Sequence, residues 1–475
     1  MPDYQAVRQS GWMLEIPRTA RADMRVPARI YADSELWDQI SKDQSIEQLV
    51  NVATLPGVTG YVCAMPDVHQ GYGFPVGGVA ATRVSDGVIS PGGVGYDINC
   101  GVRLLATDLT VERVGARLET AVHQLSRSIP SGPGRNPRFS LGLDELDRVL
   151  TEGCRYLVER ELATPDDLAV TEATGCLTAA DPDAVSAKAK TRGHDQLGTI
   201  GSGNHFVEVQ QVDQVFDEAA AEAYGLTDGR LTVLIHTGSR GLGHQVCTDY
   251  VRLMDQVMDR YGIHLPDRQL ASAPLHSPEG ARYFGAMCAA ANYAWANRQV
   301  ITHYVREVFA QVFGEVHRPR LVYDVAHNIA KIEVYDGEEL CVHRKGATRA
   351  FGPASPETPD RYRAHGQPVF IPGSMGTASY VLAGTDTSGE RSFGSCCHGA
   401  GRAMSRGAAK RTVTGAQVRR ELESRGIVVR CASKSGLAEE APLAYKDVDR
   451  VVEVVHRAGL ARKVARLAPL GVIKG

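Results

Sequence analysis

The chain has 475 residues, of which 43% are hydrophobic, and its formal net charge at pH 7 is −3. This length permits a large buried core, and the slightly acidic balance excludes a globally basic nucleic-acid-binding protein. Any nucleic acid would have to bind at a local basic cleft. No run of about 18 apolar residues occurs, so we expect no membrane span.

The cysteines and the first residues predict the compartment. Ten cysteines occur without a CxxC pair, and the segment MPDYQAVRQSGWMLE contains neither the apolar region nor the cleavage site of a signal peptide. We therefore expect a cytoplasmic protein with reduced thiols. Adjacent Cys396 and Cys397 should be free, because a disulfide between neighbours is strained.

Periodicity predicts three helices and three strands that matter for function. In chain order they are a helix over 142–161, a strand that begins after His205, a strand over 231–236, a helix over 290–313, a strand over 320–327 and a helix over 447–458. Strands and helices are mixed without regular βαβ alternation, which predicts an α+β fold with mixed sheets. The stretch richest in Gly, Pro and Ser, 131–140, is too short for a linker, so we expect one domain over 1–475.

Five residues form a candidate set of metal ligands at strand ends and in glycine-rich loops. They are Asp97, Cys100, His205, His236 and His327. One thiolate, one carboxylate and three imidazoles are enough for two divalent ions, a common arrangement for chemistry at phosphorus. The thiolate could bridge the two ions. Ligand type does not decide between zinc and manganese.

A second candidate is His398, which lies in the segment SFGSCCHGAGR over 392–402. Glycine allows a ligand to approach the main chain closely. A histidine in such a turn could reach the phosphorus of a nucleotide.

Together with this segment, five further motifs resemble the RtcB family of RNA ligases, from about residue 27 to the last residue. They are MPDVHQGYGFPVGG (65–78), GGVGYDINCG (92–101), GSGNHFVEV (201–209), HTGSRGLGHQ (236–245) and DVAHNIAK (324–331). Two departures are small: Thr237 stands where serine is usual, and Tyr96 where phenylalanine is frequent. The chain lacks a P-loop and a KxDG lysine motif, so activation would use histidine.

The resemblance implies a GTP-dependent reaction with two Mn²⁺ ions. It implies that Cys100 bridges the ions, with His236 and His327 on one and Asp97 and His205 on the other. His398 would be the nucleophile that takes GMP from GTP. The positions that would hold the guanosine are Asn204, Glu208, Asn328, Ser374, Ser379, Tyr445 and Lys474.

Arginines and lysines near these motifs are candidates for binding phosphates. We expect Arg192, Arg240 and Arg406 to grip RNA or nucleotide phosphates, because guanidinium groups match phosphate oxygens. Further candidates for a basic cleft are Arg344, Lys345, Arg402, Lys410 and Arg411. If Lys474 reaches the site, Val472 and Ile473 should be buried.

By resemblance the chain is a ligase for RNA splicing, such as tRNA splicing, or for RNA repair. It would join a 3′-phosphate or 2′,3′-cyclic phosphate end to a 5′-hydroxyl end, and an archease-type activator is a possible partner. Two other classes stay open on the residues alone. A di-metal phosphoesterase would need the ligand set but not His398, and a non-catalytic RNA-binding scaffold would need neither.

Overall fold

A computed structural model describes residues 4–132, 138–431 and 433–475. Half of the segment 131–140, residues 133–137, lies outside the described residues. The described strands are β1 (Val7–Ser10), β2 (Met13–Ile16), β3 (Ala28–Tyr31), β4 (Val58–His69), β5 (Val76–Arg83), β6 (Val88–Ile89), β7 (Gly101–Thr110), β8 (Phe206–Val215), β9 (Arg230–Thr237), β10 (Ala273–Pro274), β11 (Arg320–Ala326), β12 (Asn328–Tyr335), β13 (Glu338–Lys345), β14 (Ala347–Arg349), β15 (Pro368–Ile371), β16 (Ser379–Gly384), β17 (Ser395–Cys397), β18 (Val428–Cys431) and β19 (Ala461–Lys474).

The α-helices lie mainly between the strands of the central part and near the C-terminus. They are α1 (Ser34–Ile40), α2 (Ser45–Val52), α3 (Val111–Val114), α4 (Arg117–Ser128), α5 (Leu143–Glu152), α6 (Cys154–Glu159), α7 (Pro165–Ala169), α8 (Ala187–Gly193), α9 (Glu218–Tyr224), α10 (Arg240–Val257), α11 (Pro278–Phe313), α12 (Thr387–Ser392), α13 (Arg406–Thr412), α14 (Gly415–Ser424), α15 (Lys434–Glu439) and α16 (Val448–Arg457).

Two large sheets organise the described chain. One has the strand order β1-β2-β3-β4-β5-β13-β12, and the other has the order β11-β7-β9-β8-β19-β16-β15, with β18 pairing with β19. Pairing is antiparallel except for β3 with β4 and β18 with β19. Two short ribbons, β10 with β6 and β14 with β17, complete the sheets. The predicted α+β class is confirmed.

A continuous buried core includes Leu14 of β2 and Ile473 of β19. One core through both sheets supports a single domain, and the domain bounds 1–475 stay a prediction. None of the helices in the described ranges has the length and apolar character needed to cross a bilayer.

The three predicted helices differ in how well their limits agree with the structure. The helix predicted over 447–458 is α16, and Asp447 caps it by accepting from the amide of Asp449. The helix predicted over 142–161 is wrong as one element, because Gly153 at φ +57° separates α5 from α6. A Cβ there would lie 2.1 Å from the carbonyl oxygen of Gly175.

The helix predicted over 290–313 begins earlier than predicted. It is the second part of α11, which starts at Pro278 behind the Ser277 cap. The middle of α11 is buried on all sides, so its sequence has no polar face. The alternation of apolar and polar residues that marks an amphipathic helix is therefore weak in this part of the sequence. This helix packs behind the sheet edge that carries the site.

Candidate functional site

Four of the five candidate ligands lie together at one end of the sheet formed by β11, β7, β9 and β8, where these strands begin or end. Because the strands alternate in direction, β11 and β9 end at this edge and β7 and β8 begin there. The register confirms this: Ala326 pairs with Gly101, Gly101 with Thr237, and Phe206 with His236. Cys100, His205, His236 and His327 therefore project at the ends of four adjacent strands, as predicted for the histidines. Asp97 lies in the loop before β7.

The five side chains meet closely enough to share metal ions, and we call them the ligand cluster. Cys100 Sγ lies 3.4 Å from Nε2 of both His205 and His236. Nε2 of His236 lies 3.4 Å from Nε2 of His327, and Nε2 of His205 lies 2.7 Å from Oδ2 of Asp97. Two groups could each hold an ion, Cys100 with His236 and His327, and Cys100 with Asp97 and His205. This is the grouping that the resemblance implies.

The protonation chemistry of the cluster fits cations. Burial lowers the pKa of His236 and His327 well below the usual range, so both imidazoles are neutral and carry lone pairs. Burial opposes ionisation of Asp97, but His205 and other neighbours outweigh it and lower the pKa of Asp97. Burial raises the pKa of the Cys100 thiol, and a bound cation would displace its proton.

A buried arginine of α11 ties three ligand segments together. Arg298 Nη1 donates to the carbonyl oxygens of Asn99 and Thr237, both at 2.8 Å. Its Nη2 and Nε donate to the two carboxylate oxygens of Asp324, each at 2.8 Å. Asn99 adjoins Cys100, Thr237 adjoins His236, and Asp324 lies on the strand that leads to His327. The cluster is thus held from behind by one wholly buried guanidinium.

His398 lies beside the ligand cluster, on the turn that follows β17. Its ring centroid is 4.8 Å from that of His327. Its Nδ1 lies 2.6 Å from Oδ2 of Asp67, a carboxylate that is fully buried and also accepts from the His398 amide. Gly401, at φ +75°, lets the turn pass over Asp67, where a Cβ would lie 2.1 Å from the Asp67 carbonyl oxygen.

A second wall of the same cleft is built around the end of β19, and we call it the β19 wall. It comprises Asn204, Glu208, Glu440, Tyr445 and Lys474. Lys474 pairs with Phe206 in the ladder, so the last strand places its lysine at the edge that carries the ligands. Val472, Ile473 and Lys474 are buried, which confirms the predicted burial of the last residues.

The β19 wall contains carboxylates in two different states. Burial raises the pKa of Glu208 to about 8. A 2.6 Å hydrogen bond from Gln210 Nε2 and the charge of Lys474 both lower this pKa, but by less than burial raises it. Burial also opposes ionisation of Glu440, but Lys474, Tyr445 and two arginines outweigh it and lower the pKa of Glu440. Glu208 is therefore protonated near neutral pH, whereas Glu440 is ionised.

The cleft has a volume of about 260 Å³, and most predicted site residues line it. Ser374 and Asn328 lie on its surface, and the side-chain amide of Asn328 donates to the Asp97 carbonyl oxygen at 3.1 Å. Ser379 is fully buried and accepts from Gln210 Nε2 at 2.9 Å. It therefore contacts the partner of Glu208.

The three arginines predicted to grip phosphates occupy different places. Arg406 lines the cleft and donates to Glu440 at 3.2 Å. Arg240 lies next to Gly201 and donates to Thr199 Oγ1 at 3.0 Å. Arg192 is exposed on α8 and donates to Gln245 Oε1 at 3.0 Å. Only Arg406 of these three lies on the cleft surface.

The prediction that Arg344 belongs to a basic cleft is wrong. Arg344 is wholly buried and binds both carboxylate oxygens of Glu333, at 2.6 and 2.8 Å. Its neighbour Lys345 does line the cleft, where its Nζ donates to the carbonyl oxygens of Tyr72 and Phe74. Arg402 also lines the cleft, whereas Lys410 and Arg411 are exposed on α13.

Sequence reasoning missed Asp67, Glu440 and Arg298. Asp67 lies in the motif MPDVH, so its presence in a glycine-rich motif was a usable signal. Glu440 follows Glu439 in a run that reads as a surface charge pair. Arg298 lies within a helix, and the helical sequence around it does not indicate which loops the helix will pack against. All ten cysteines are free, as predicted for Cys396 and Cys397.

Comparisons with known proteins agree with the motifs. A family model described as tRNA-splicing ligase RtcB matches residues 48–475. The tRNA-splicing ligase RtcB of Thermococcus kodakarensis is 55% identical over 468 residues, which cover 97% of this chain and 97% of that protein. The RNA-splicing ligase RtcB of Mycobacterium tuberculosis is 55% identical over 435 residues, which cover 90% of this chain and 100% of that protein. With the match extending over nearly its whole length, this chain belongs to the RtcB family.

Proposed function

We propose that the chain is an RNA ligase that joins a 3′-phosphate or 2′,3′-cyclic phosphate end to a 5′-hydroxyl end, using GTP. The observation that carries this proposal is the position of His398, whose ring lies 4.8 Å from that of His327 in the ligand cluster. A nucleophile next to ligands for divalent cations is the arrangement that nucleotidyl transfer requires. Membership of the RtcB family supports the reaction class.

His398 acts as the nucleophile, and Asp67 prepares it. The Asp67 carboxylate, 2.6 Å from Nδ1, holds the imidazole proton on that nitrogen and leaves the Nε2 lone pair free. Nε2 forms a bond to the α-phosphorus of GTP, and the bond from that phosphorus to pyrophosphate breaks. The GMP is then held through a P–N bond, which transfers readily to a second nucleophile.

The β19 wall holds the guanosine. Guanine offers two N–H donors on one edge, which adenine does not, and Glu208 can accept both once its carboxyl is ionised. The contact from Gln210 fixes the orientation of Glu208. Tyr445 and Lys474 enclose the nucleotide, with Asn204, Asn328 and Ser374 at its border. The buried Ser379 supports the wall through Gln210.

The ligand cluster would hold two divalent cations, which the family resemblance suggests are Mn²⁺. When bound, the ions would neutralise charge on the reacting phosphates. Cys100 would be the ligand common to both, with His236 and His327 for one ion and Asp97 and His205 for the other.

Two further transfers complete the reaction. Water first opens a cyclic phosphate to a 3′-phosphate, and the bond from phosphorus to the 2′-oxygen breaks. An oxygen of the 3′-phosphate then attacks the phosphorus on His398, the P–N bond breaks, and the RNA end is capped by GMP. The 5′-hydroxyl then attacks the RNA phosphorus and GMP leaves. Arg406 at the cleft surface, Arg240 beside Gly201 and the exposed Arg192 bind the RNA phosphates. The ten free cysteines suit the reducing cytoplasm, and an archease-type activator is a candidate partner.

The deciding experiment is to incubate the protein with α-labelled GTP and manganese, denature it, and measure acid-labile label on the chain. Labelling, followed by release on addition of RNA with a 3′-phosphate, is expected. A di-metal phosphoesterase would hydrolyse RNA ends without becoming labelled, and an RNA-binding scaffold would do neither.

A further inference from the structure

Three aromatic rings contact one another in a row that begins at Tyr96, next to Asp97 in the lining of the cleft. The ring centroids of Tyr72 and Tyr96 are 5.6 Å apart, and those of Tyr96 and His244 are 4.9 Å apart. Tyr96 lines the cleft, both tyrosines are half-buried, and His244 is exposed. We call these three residues the aromatic row.

The aromatic row is unusual in this chain because it does not belong to the core. Fifteen of the 17 tyrosines are core residues or pack against the core, and the two exceptions are Tyr72 and Tyr96. An aromatic ring outside the core remains partly exposed to water, so it contributes less hydrophobic stabilisation than the buried tyrosine rings do. Two such rings in contact at the border of a reactive cleft point to a ligand with a flat apolar face.

Cations accompany the row. Lys345 donates to the carbonyl oxygen of Tyr72. Its Cε lies 3.5 Å from the position that a Cβ atom on Gly95 would occupy, next to Tyr96 in the chain. Burial lowers the pKa of His244, and Arg192 at the other end of the row is close enough to lower it further. Two acidic groups lie near Tyr72: Asp267 accepts from the amide of Gln269, and Asp255 is paired with Arg268 at 2.9 Å. A lysine and an arginine therefore flank the row, and Asp97 is the acidic group that acts on His244.

We propose that the aromatic row stacks an unpaired base of the RNA strand whose end enters the cleft. Exposed aromatic rings flanked by cations are how proteins hold single-stranded nucleic acid without reading its sequence. The row is continuous with the cleft through Tyr96, so a strand with its terminal phosphate at the ligand cluster would pass over it. This inference rests on the proposed RNA ligase function and adds the surface that positions the RNA.

The test separates RNA binding from guanylylation. His244→Ala should become guanylylated by GTP as the parent protein does, because His244 lies outside the cleft lining and contacts neither His398 nor the β19 wall. Tyr96→Leu is tested beside it for RNA binding. Their KM for RNA should rise about 5- to 150-fold, the range expected for loss of one stacked base. Tyr96→Phe keeps the ring and should bind RNA normally. Phe216→Leu is a matched control, because it removes another partly exposed ring, which stacks on Tyr380.

Fluorescent RNA identifies the end that is bound. One oligonucleotide carries 2-aminopurine next to its 3′-phosphate and another carries it at its 5′-hydroxyl end. Stacking should quench one of them on the parent protein and on Tyr96→Phe, but not on Tyr96→Leu. An abasic nucleotide at that position should weaken binding to the parent as much as Tyr96→Leu does, with little further loss when the two are combined.

Unchanged KM and unchanged fluorescence in both Tyr96→Leu and His244→Ala, with guanylylation intact, would overturn the inference. If Tyr96→Leu loses guanylylation because it disturbs Asp97, the exposed His244→Ala decides. A parent protein that is never guanylylated would instead refute the proposed function.

Discussion

The ligand cluster and the β19 wall line the same cleft, yet they are anchored in different ways. The cluster lies at the ends of four adjacent strands and is tied from behind by Arg298, which donates to backbone oxygens beside two of its ligands. The β19 wall combines residues of two paired strands, β8 and β19, with loop residues. Its charges, Glu440 and Lys474, stabilise one another. Changes in the cluster should therefore abolish every step, whereas changes in the wall should weaken nucleotide use by degrees.

The largest effect should come from Cys100→Ala. Cys100 is common to both groups that could hold an ion, so its loss should remove both ions together and with them all steps of ligation. Metal analysis of the purified variant measures this directly. Cys396→Ala is the control, because Cys396 is a buried thiol of β17 and its loss should leave metal content unchanged. Two ions per chain in Cys100→Ala would contradict the bridging role.

His398→Ala should abolish one step completely and spare another. Without the imidazole, neither guanylylation by GTP nor ligation of 3′-phosphate ends should be detected. RNA supplied with its 3′ end already capped by GMP should still be joined, since the ligand cluster remains. His264→Ala, a change at an exposed histidine, should leave both activities intact. Labelling of His398→Ala by GTP would show that another residue is the nucleophile.

Arg298→Met should weaken both stability and metal binding. Leaving Asp324 without this partner in the interior should cost about 3–5 kcal/mol of unfolding free energy. Because the ligand loops lose their support, Mn²⁺ affinity should fall about 10- to 100-fold. Arg103→Met is the matched control: Arg103 also binds Asp324, at 2.6 Å, but its side chain donates to neither ligand loop. Equal Mn²⁺ affinities for the two variants, by titration of free Mn²⁺, would show that Arg298 acts on stability alone.

The contrast between the two walls also explains how much could be predicted from the sequence. Histidines that begin or end apolar strands must lie where the strands of a sheet end, so the α+β class and the proximity of the candidate ligands could be predicted from local patterns. The pairing of Lys474 with Phe206 depends on the register of strands more than 250 residues apart, and only the family resemblance suggested it. Glu440 and Arg344 show the limit: a charged residue in a local sequence does not reveal whether a distant segment will bury it.

Lys474→Met should impair GTP use far more than folding. Loss of a hydrogen bond to a charged group corresponds to roughly 1.5–3 kcal/mol, or about 10- to 150-fold in affinity. The methionine keeps the β19 ladder, and Glu440 retains Arg402, Arg406 and Tyr445 as partners, so the melting temperature should fall far less than the affinity for GTP. Lys463→Met, on the same strand but paired with Glu453, is the control. Identical GTP concentration curves for guanylylation in Lys474→Met and the parent would exclude Lys474 from the site.

The smallest and most specific effect concerns the pH dependence of GTP binding. Burial raises the pKa of Glu208 to about 8, so the free protein holds this carboxyl protonated at pH 7. The two N–H donors of guanine favour the carboxylate, so binding should release a proton. The affinity for GTP should therefore rise with pH up to about 8, by at most about tenfold per pH unit, and level off above it.

Glu208→Gln, which cannot ionise, should bind GTP more weakly and lose this pH dependence, whereas Ser374→Ala should keep it. Calorimetry in two buffers of different ionisation enthalpy counts the proton. Titration of the GTP phosphates is common to all three proteins and cancels in the comparison. A parent protein whose pH slope matches that of Glu208→Gln would show that Glu208 does not change protonation when guanine binds.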